Sequence, residues 1–261
     1  MEKQIIWRGL LAGVIAGVLA FVFARIFVAP QTQSAIDFED GVAEARAAMD
    51  PSAAEGGMEM FTRSVQVNVG MAFAIVGFSI AIGALFAVAY AVALGRVGNV
   101  SPRVLSLYVA GGMLVSLYVV PFLKYPTNPP AVGSDETVKQ RSALYLLMVV
   151  VSVVLFVAAV YLGRRLNDRL GAWNATVVAG GAYIAAIAVV MLVLPTISET
   201  PEPLRDAAGT IVYEGFPADT LFFYRLYGLG TQVVMYTTIA LVFAALVSKL
   251  LDGRRQNEFA A

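Results

Sequence analysis

The sequence predicts an all-α membrane protein: six transmembrane helices in three hairpins, both termini cytoplasmic, with acidic outer loops. Three observations predict it. Hydrophobic residues are 59% of the 261-residue chain and charged residues 14%, with a mean hydropathy of +0.76. Soluble domains hold ~45–50% apolar and ~25% charged residues. Six stretches of about 20 mostly apolar residues recur along the chain, the length that crosses ~30 Å of hydrocarbon at ~1.5 Å per residue. Finally, basic residues sort to alternate connections between these stretches. A water-soluble enzyme is thereby excluded, and so is a disordered chain. There is no Cys and no His. Disulfides, thiolate metal sites and the usual haem ligand are therefore absent, as is the commonest general base.

The first stretch, about 9–29, carries Arg25 and is expected to end at Pro30, because proline removes a helix donor. Lys3 and Arg8 ahead of it imitate a signal peptide. The candidate cleavage point after Val28-Ala29 faces Pro30, however, so the stretch is read as a retained helix. Gly9, Gly13 and Gly17, four apart, line one face and allow close helix packing. An outer loop follows, about 30–64. Ser34 with Asp37 three residues on is a capping pattern, the next residues are Ala-rich to Met49, and Asp50-Pro51 stops them. A short loop helix is expected there.

The second helix is expected at about 65–94 and the third at about 104–123, joined by an inner loop. A second outer loop, 124–141, leads to the fourth helix at about 142–163. The inner loop 164–171 holds Arg164, Arg165, Asp168 and Arg169, and the fifth helix covers about 172–194. In the third outer loop, 195–225, Asp206-Ala207-Ala208-Gly209 before Thr210 to Tyr213 reads as a turn into a short extended segment, a small hairpin. The sixth helix covers about 226–248. The whole is a single polytopic membrane domain, 1–261.

The inner side holds ten basic residues against four acidic ones; the outer side holds seven against fourteen. Basic residues in short loops mark the cytoplasmic side. Two tripeptides recur at offsets of 69 and 68 residues: Ala-Gly-Gly at 110–112 and 179–181, Leu-Gly-Arg at 94–96 and 162–164. Duplicated hairpins would give this, and so would coincidence in a biased composition.

The outer carboxylates are the candidate cation ligands: Asp37, Glu39, Asp40, Glu199, Glu202, Glu214 and Asp219, with Glu44, Asp50, Glu55, Glu59, Asp135, Glu136 and Asp206 around them. A negative face concentrates divalent cations, which take oxygen ligands; solvation of the loops, and helix capping by Asp219, explain the same residues. Met58-Glu59-Met60 offers thioethers beside a carboxylate, or simple packing. Arg25 either snorkels outward, pairs with a loop carboxylate, or gates cations. Asn68 and Gln232 either join helices or line a path, and Asn128 sits in a stiff Pro-rich loop that either holds a pore mouth or only connects helices. No span holds Asp or Glu, which weighs against a proton-coupled carrier.

Two segments go beyond this general pattern. They are Pro121-Phe122-Leu123-Lys124-Tyr125-Pro126-Thr127-Asn128-Pro129-Pro130-Ala131-Val132-Gly133 and Glu214-Gly215-Phe216-Pro217-Ala218-Asp219-Thr220-Leu221, the latter continuing through Phe223-Tyr224-Arg225-Leu226 to Gly230-Thr231-Gln232. With Phe21 to Pro30 and Ile36-Asp37-Phe38-Glu39 they resemble CbtA, a family of predicted cobalt transporter subunits, over nearly the whole chain. The resemblance implies a non-enzymatic component of cobalt uptake in the bacterial inner membrane, linked to cobalamin supply, with Co²⁺ as the transported ion and no cofactor. It implies a small His-bearing membrane protein, CbtB, as partner. It supplies no ligand set. The lipid bilayer is the expected surroundings and nucleic acid is not expected; a homo-oligomer stays open. The alternative is a membrane scaffold that transports nothing.

Overall fold

A computed structural model describes residues 2–50, 65–98, 100–134 and 136–259. Met58, Glu59, Met60, Glu55 and Asp135 lie outside the described residues. Among the described residues, five helices are long and apolar enough to cross a membrane. By contacts the chain forms two units: 1–113 with 129–131 and 201–261, and 114–128 with 132–200.

In the first unit, residues Glu2–Met49 form one helix, α1. The break expected at Pro30 does not occur, and no separate loop helix starts at Ser34. Pro30 removes one backbone donor, but hydroxyls bond to carbonyls on either side of it. Thr32 Oγ1 donates to the Val28 carbonyl (3.1 Å) and Ser34 Oγ to the Pro30 carbonyl (3.1 Å). Ser34 is thus a mid-helix residue bonding back one turn rather than a cap. The buried stripe also continues past the proline through Ala35, Ile36 and Phe38, so tertiary packing offsets the lost bond.

A π-helical turn, Gln66–Gly70, leads into α2 (Met71–Ala93). The Gly9, Gly13, Gly17 face of α1 lies directly on α2. A Cβ on Gly13 would stand 2.5 Å from the Ser79 carbonyl oxygen, and one on Gly17 would stand 2.8 Å from the Val76 Cα. Gly83 meets Gly9 backbone to backbone from the other side. This is close packing through small residues. Helix α3 (Pro102–Met113) completes the unit together with the last helix, α6 (Ala218–Phe259). Its core is aromatic: Phe243 stacks edge-on against Phe86 (5.0 Å) and Tyr90 (4.8 Å). Ser106 Oγ, fully buried, donates to the Ala240 carbonyl (2.8 Å). Helix α6 begins at Ala218, eight residues before the expected start, because Pro217 ends the preceding loop and Asp219 supplies a negative charge to the first turn.

The expected small hairpin is present. Strands β1 (Leu204–Arg205) and β2 (Ile211–Tyr213) pair antiparallel. Asp206 Oδ1 accepts from the backbone N–H groups of Ala208 (2.9 Å) and Thr210 (2.8 Å), and Gly209 takes φ of +83°. That is the chemistry of an Asx turn closed by glycine.

The second unit starts within the helical run that continues from α3. A π-helical segment, Leu114–Val119, precedes α4 (Val120–Lys124). Pro121 lacks an N–H, and the wider π turns lie just ahead of it. Residues Val138–Val193 form α5, broken at Gly171 (φ 74°, ψ 162°). The chain doubles back there. Ser152 Oγ and Tyr183 Oη are 2.8 Å apart, although a straight helix would separate residues 31 apart by ~46 Å. The 164–170 stretch, expected as a loop, is helical up to that glycine. Val120, Tyr125, Met148 and Ile187 form the core of this unit.

Candidate functional site

Two arrangements of functional groups emerge, one in each unit. In the first unit, the far half of α1 carries the hairpin segment. Phe38 is the anchor: it meets Tyr213 (5.6 Å) and Phe216 (5.0 Å), both edge-on. A Cβ on Gly41 would run into the Tyr213 hydroxyl, so this glycine lets the ring pack close against the helix. The Phe216 N–H donates to the Pro201 carbonyl (3.1 Å), tying off the segment. This docking brings two acidic sets into one module. Asp37, Glu39, Asp40 and Glu44 are exposed on α1; Glu202, Glu214 and Asp219 are exposed on the 201–219 segment. Asp37 accepts from Gln33 Nε2 (2.8 Å). Among the described residues no three carboxylates come together as a metal site. The module can attract cations; among these residues it has no preformed chelate.

Within the helical part of this unit, Arg25 Nε donates to Asn68 Oδ1 (3.0 Å). Both residues are exposed on the bundle surface. Asn68 thus ties the turn ahead of α2 to α1, and its amide oxygen gives the Arg25 guanidinium an acceptor. Gln232 is half-buried and lines a cavity of about 340 Å³ with Ala20, Ser79, Thr231 and Met235. The Ser79 and Thr231 hydroxyls are spent on the Ile75 (2.7 Å) and Tyr227 (2.9 Å) carbonyls. Gln232 thus supplies the amide of a largely apolar wall.

In the second unit, Glu199 is not an open outer carboxylate. Its side chain is 3% exposed and forms an ion pair with Arg141 Nη1 at 2.8 Å. The same Oε2 accepts from Asn128 Nδ2 (3.1 Å), and Oε1 accepts from the Thr137 hydroxyl. Arg141 Nη2 donates to the Pro126 carbonyl (2.9 Å). Two further bonds close the same clasp. Lys124 Nζ donates to Thr196 Oγ1 (3.1 Å), and Tyr125 Oη donates to the Pro195 carbonyl (2.8 Å). Burial pushes the Tyr125 hydroxyl above its ordinary pKa, so it stays a donor. Sequence reasoning singled out Asn128 and Glu199, but missed Arg141 and Thr137 as their partners. The charge pattern of the outer side was the available signal: Arg141 is a basic residue on an acidic face, at the start of an apolar helix.

These helices, long enough to span a bilayer and apolar over most of their surface, define a multi-pass membrane protein. The family model described as "Probable cobalt transporter subunit (CbtA)" matches residues 2–248, and the chain belongs to that family. No curated protein and no solved structure matches it. The family makes the chain one subunit of a cobalt transporter, which implies partner subunits.

Proposed function

We propose that this chain is the membrane-embedded, cation-collecting subunit of a cobalt uptake system. In this reading the chain crosses the bacterial inner membrane six times, the two arms of α5 counting separately. Both ends are cytoplasmic and the acidic connections lie outside. The docked acidic module on α1 is the observation that carries the reading. Seven exposed carboxylates, Asp37, Glu39, Asp40, Glu44, Glu202, Glu214 and Asp219, are held in one module, and such a field raises the local concentration of a divalent cation. Without a chelating cluster, the ion is held diffusely and leaves quickly, which suits delivery rather than storage. Arg25, paired to Asn68, repels cations that wander onto the helical flank. Gln232 brings a single amide to the cavity wall, too little to replace the hydration shell of Co²⁺. A partner must therefore complete the path. A small His-bearing, CbtB-like protein supplies what this chain lacks, because imidazole is a preferred donor for such ions.

The test is cobalt accumulation by mass spectrometry at trace external cobalt. The host would lack its own importers and express this chain with and without the His-bearing partner. Selective accumulation over magnesium and zinc with both chains is the expected result. Converting the seven carboxylates to amides should cut uptake at trace cobalt several-fold and leave it unchanged at saturating cobalt. A second reading, a membrane scaffold, draws on the absence of Asp and Glu from the membrane-crossing stretches of α2, α3 and α5. No accumulation with either combination, with the protein shown to be in the membrane, would favour it.

A further inference from the structure

Glu199 is a buried carboxylate bound by two nitrogen donors and a hydroxyl, and its counter-charge comes from a partly exposed side chain. The carboxylate is 3% exposed, whereas Arg141 is 23% exposed and sits in the first turn of α5. Around the pair converge the Pro126 carbonyl, the Thr137 hydroxyl, the Asn128 amide and the Ser134 carbonyl, which also accepts from Thr137 (3.2 Å). Thr127, between Pro126 and Asn128 in the chain, buries its Oγ1 with no hydrogen-bond partner among the described residues. A buried hydroxyl left unbonded costs free energy, and it stands in the same loop that wraps the pair. A carboxylate, carbonyls, hydroxyls and an amide oxygen are the donor set of a hard or borderline divalent cation. A buried ionised carboxylate that loses its cation is strongly destabilised. In this structure the guanidinium is that cation.

The geometry points to a self-plugged cation site: Arg141 holds the place of a divalent ion, and the transported ion displaces it from Glu199. This deepens the uptake reading above and rests on it. In the exchange, Arg141 swings from the Pro126 carbonyl to water at the outer end of α5. The Asn128 amide turns its oxygen inward, and the ion takes Glu199 with the freed carbonyl. A single carboxylate and a nearby returning guanidinium keep the site weak, on the order of 10⁻⁴–10⁻³ M as for sites of low ligand charge. The ion is therefore released as readily as it is taken.

The experiment uses the purified full chain in nanodiscs, with Co²⁺ as the probe and the thermal midpoint as the readout. Wild type, R141Q, R141K and R141Q/E199Q are titrated side by side. The half-saturating cobalt concentration should fall at least tenfold in R141Q, and the double variant should lose that gain. R141K keeps the positive charge but loses the two-pronged contact, and should fall between wild type and R141Q. It keeps the test decisive where R141Q does not fold. Equal half-saturation in wild type and R141K, or a gain in R141Q that survives in R141Q/E199Q, overturns the proposal. The readout is binding, not uptake. A failed accumulation experiment therefore sinks the transport reading without touching the exchange site, and flat titrations sink the site without touching transport by the acidic module.

Discussion

A Cβ at Gly13 would sit 2.5 Å from the Ser79 carbonyl oxygen and 2.9 Å from the Ile80 Cα, with backbone on both counts and nothing flexible to yield. Gly13→Ala should therefore cost about 1–3 kcal/mol by overpacking. Gly181 is the control, because a Cβ added there would meet no atom within 4 Å. Gly181→Ala should be neutral or slightly stabilising, by up to about 1 kcal/mol of helix propensity. Thermal midpoints in detergent distinguish the two; equal effects would mean that the glycine face of α1 is not a contact surface. Phe38 is the second informative residue. Phe38→Ala removes the ring that holds Tyr213 and Phe216, so the 201–219 segment should become sensitive to protease while the helices stay intact. An unchanged cleavage pattern would show that the hairpin is held elsewhere. At this scale the sequence was partly transparent. A glycine every fourth residue announces close packing by itself. The burial of Glu199 does not announce itself, because its partners Arg141, Thr137 and Asn128 stand 58 to 71 positions away.

The elements show where local rules win and where they lose. The hairpin at 204–213 was legible because its turn is built from adjacent residues: Asp206 accepts two backbone donors and Gly209 takes the left-handed position. The reversal at Gly171 was legible through its neighbours, since four charges between two apolar runs oppose a continuous span. Pro30 misled for a physical reason. A proline removes one bond, but the decision to end a helix belongs to everything packed on it, and α1 stays buried beyond the proline through Ala35, Ile36 and Phe38. Pro30→Ala should thus stabilise the protein, by up to about 3 kcal/mol if the full interior penalty applies. The midpoint should rise and no new cleavage should appear between residues 25 and 35. A lower midpoint would mean that the proline is required where it stands, as a bend that α1 uses.

Across the whole molecule, the open question is how many times the chain crosses the bilayer, and the absence of cysteine makes it directly answerable. Six crossings require that the α5 arms on either side of Gly171 span separately, which places the charged stretch Arg164, Arg165, Asp168, Arg169 at the same membrane surface as the two termini. A continuous 56-residue span would instead carry those charges inside the hydrocarbon, at ~2.5–3.5 kcal/mol each on insertion scales. The 2.8 Å contact between Ser152 and Tyr183 is incompatible with that straight rod. Single cysteines at exposed positions convert the argument into labelling. Asn167→Cys should react with a membrane-impermeant maleimide only after the cells are opened, and Thr210→Cys should react in intact cells. Ser101→Cys, in the connection between α2 and α3, should behave as Asn167→Cys does. The three together test orientation as well as number, because the proposed topology puts the more basic connections on the cytoplasmic side. Labelling of Asn167→Cys in intact cells would place the α5 turn outside. It would also reverse the sidedness on which the acidic module's role as a collector of external cations depends.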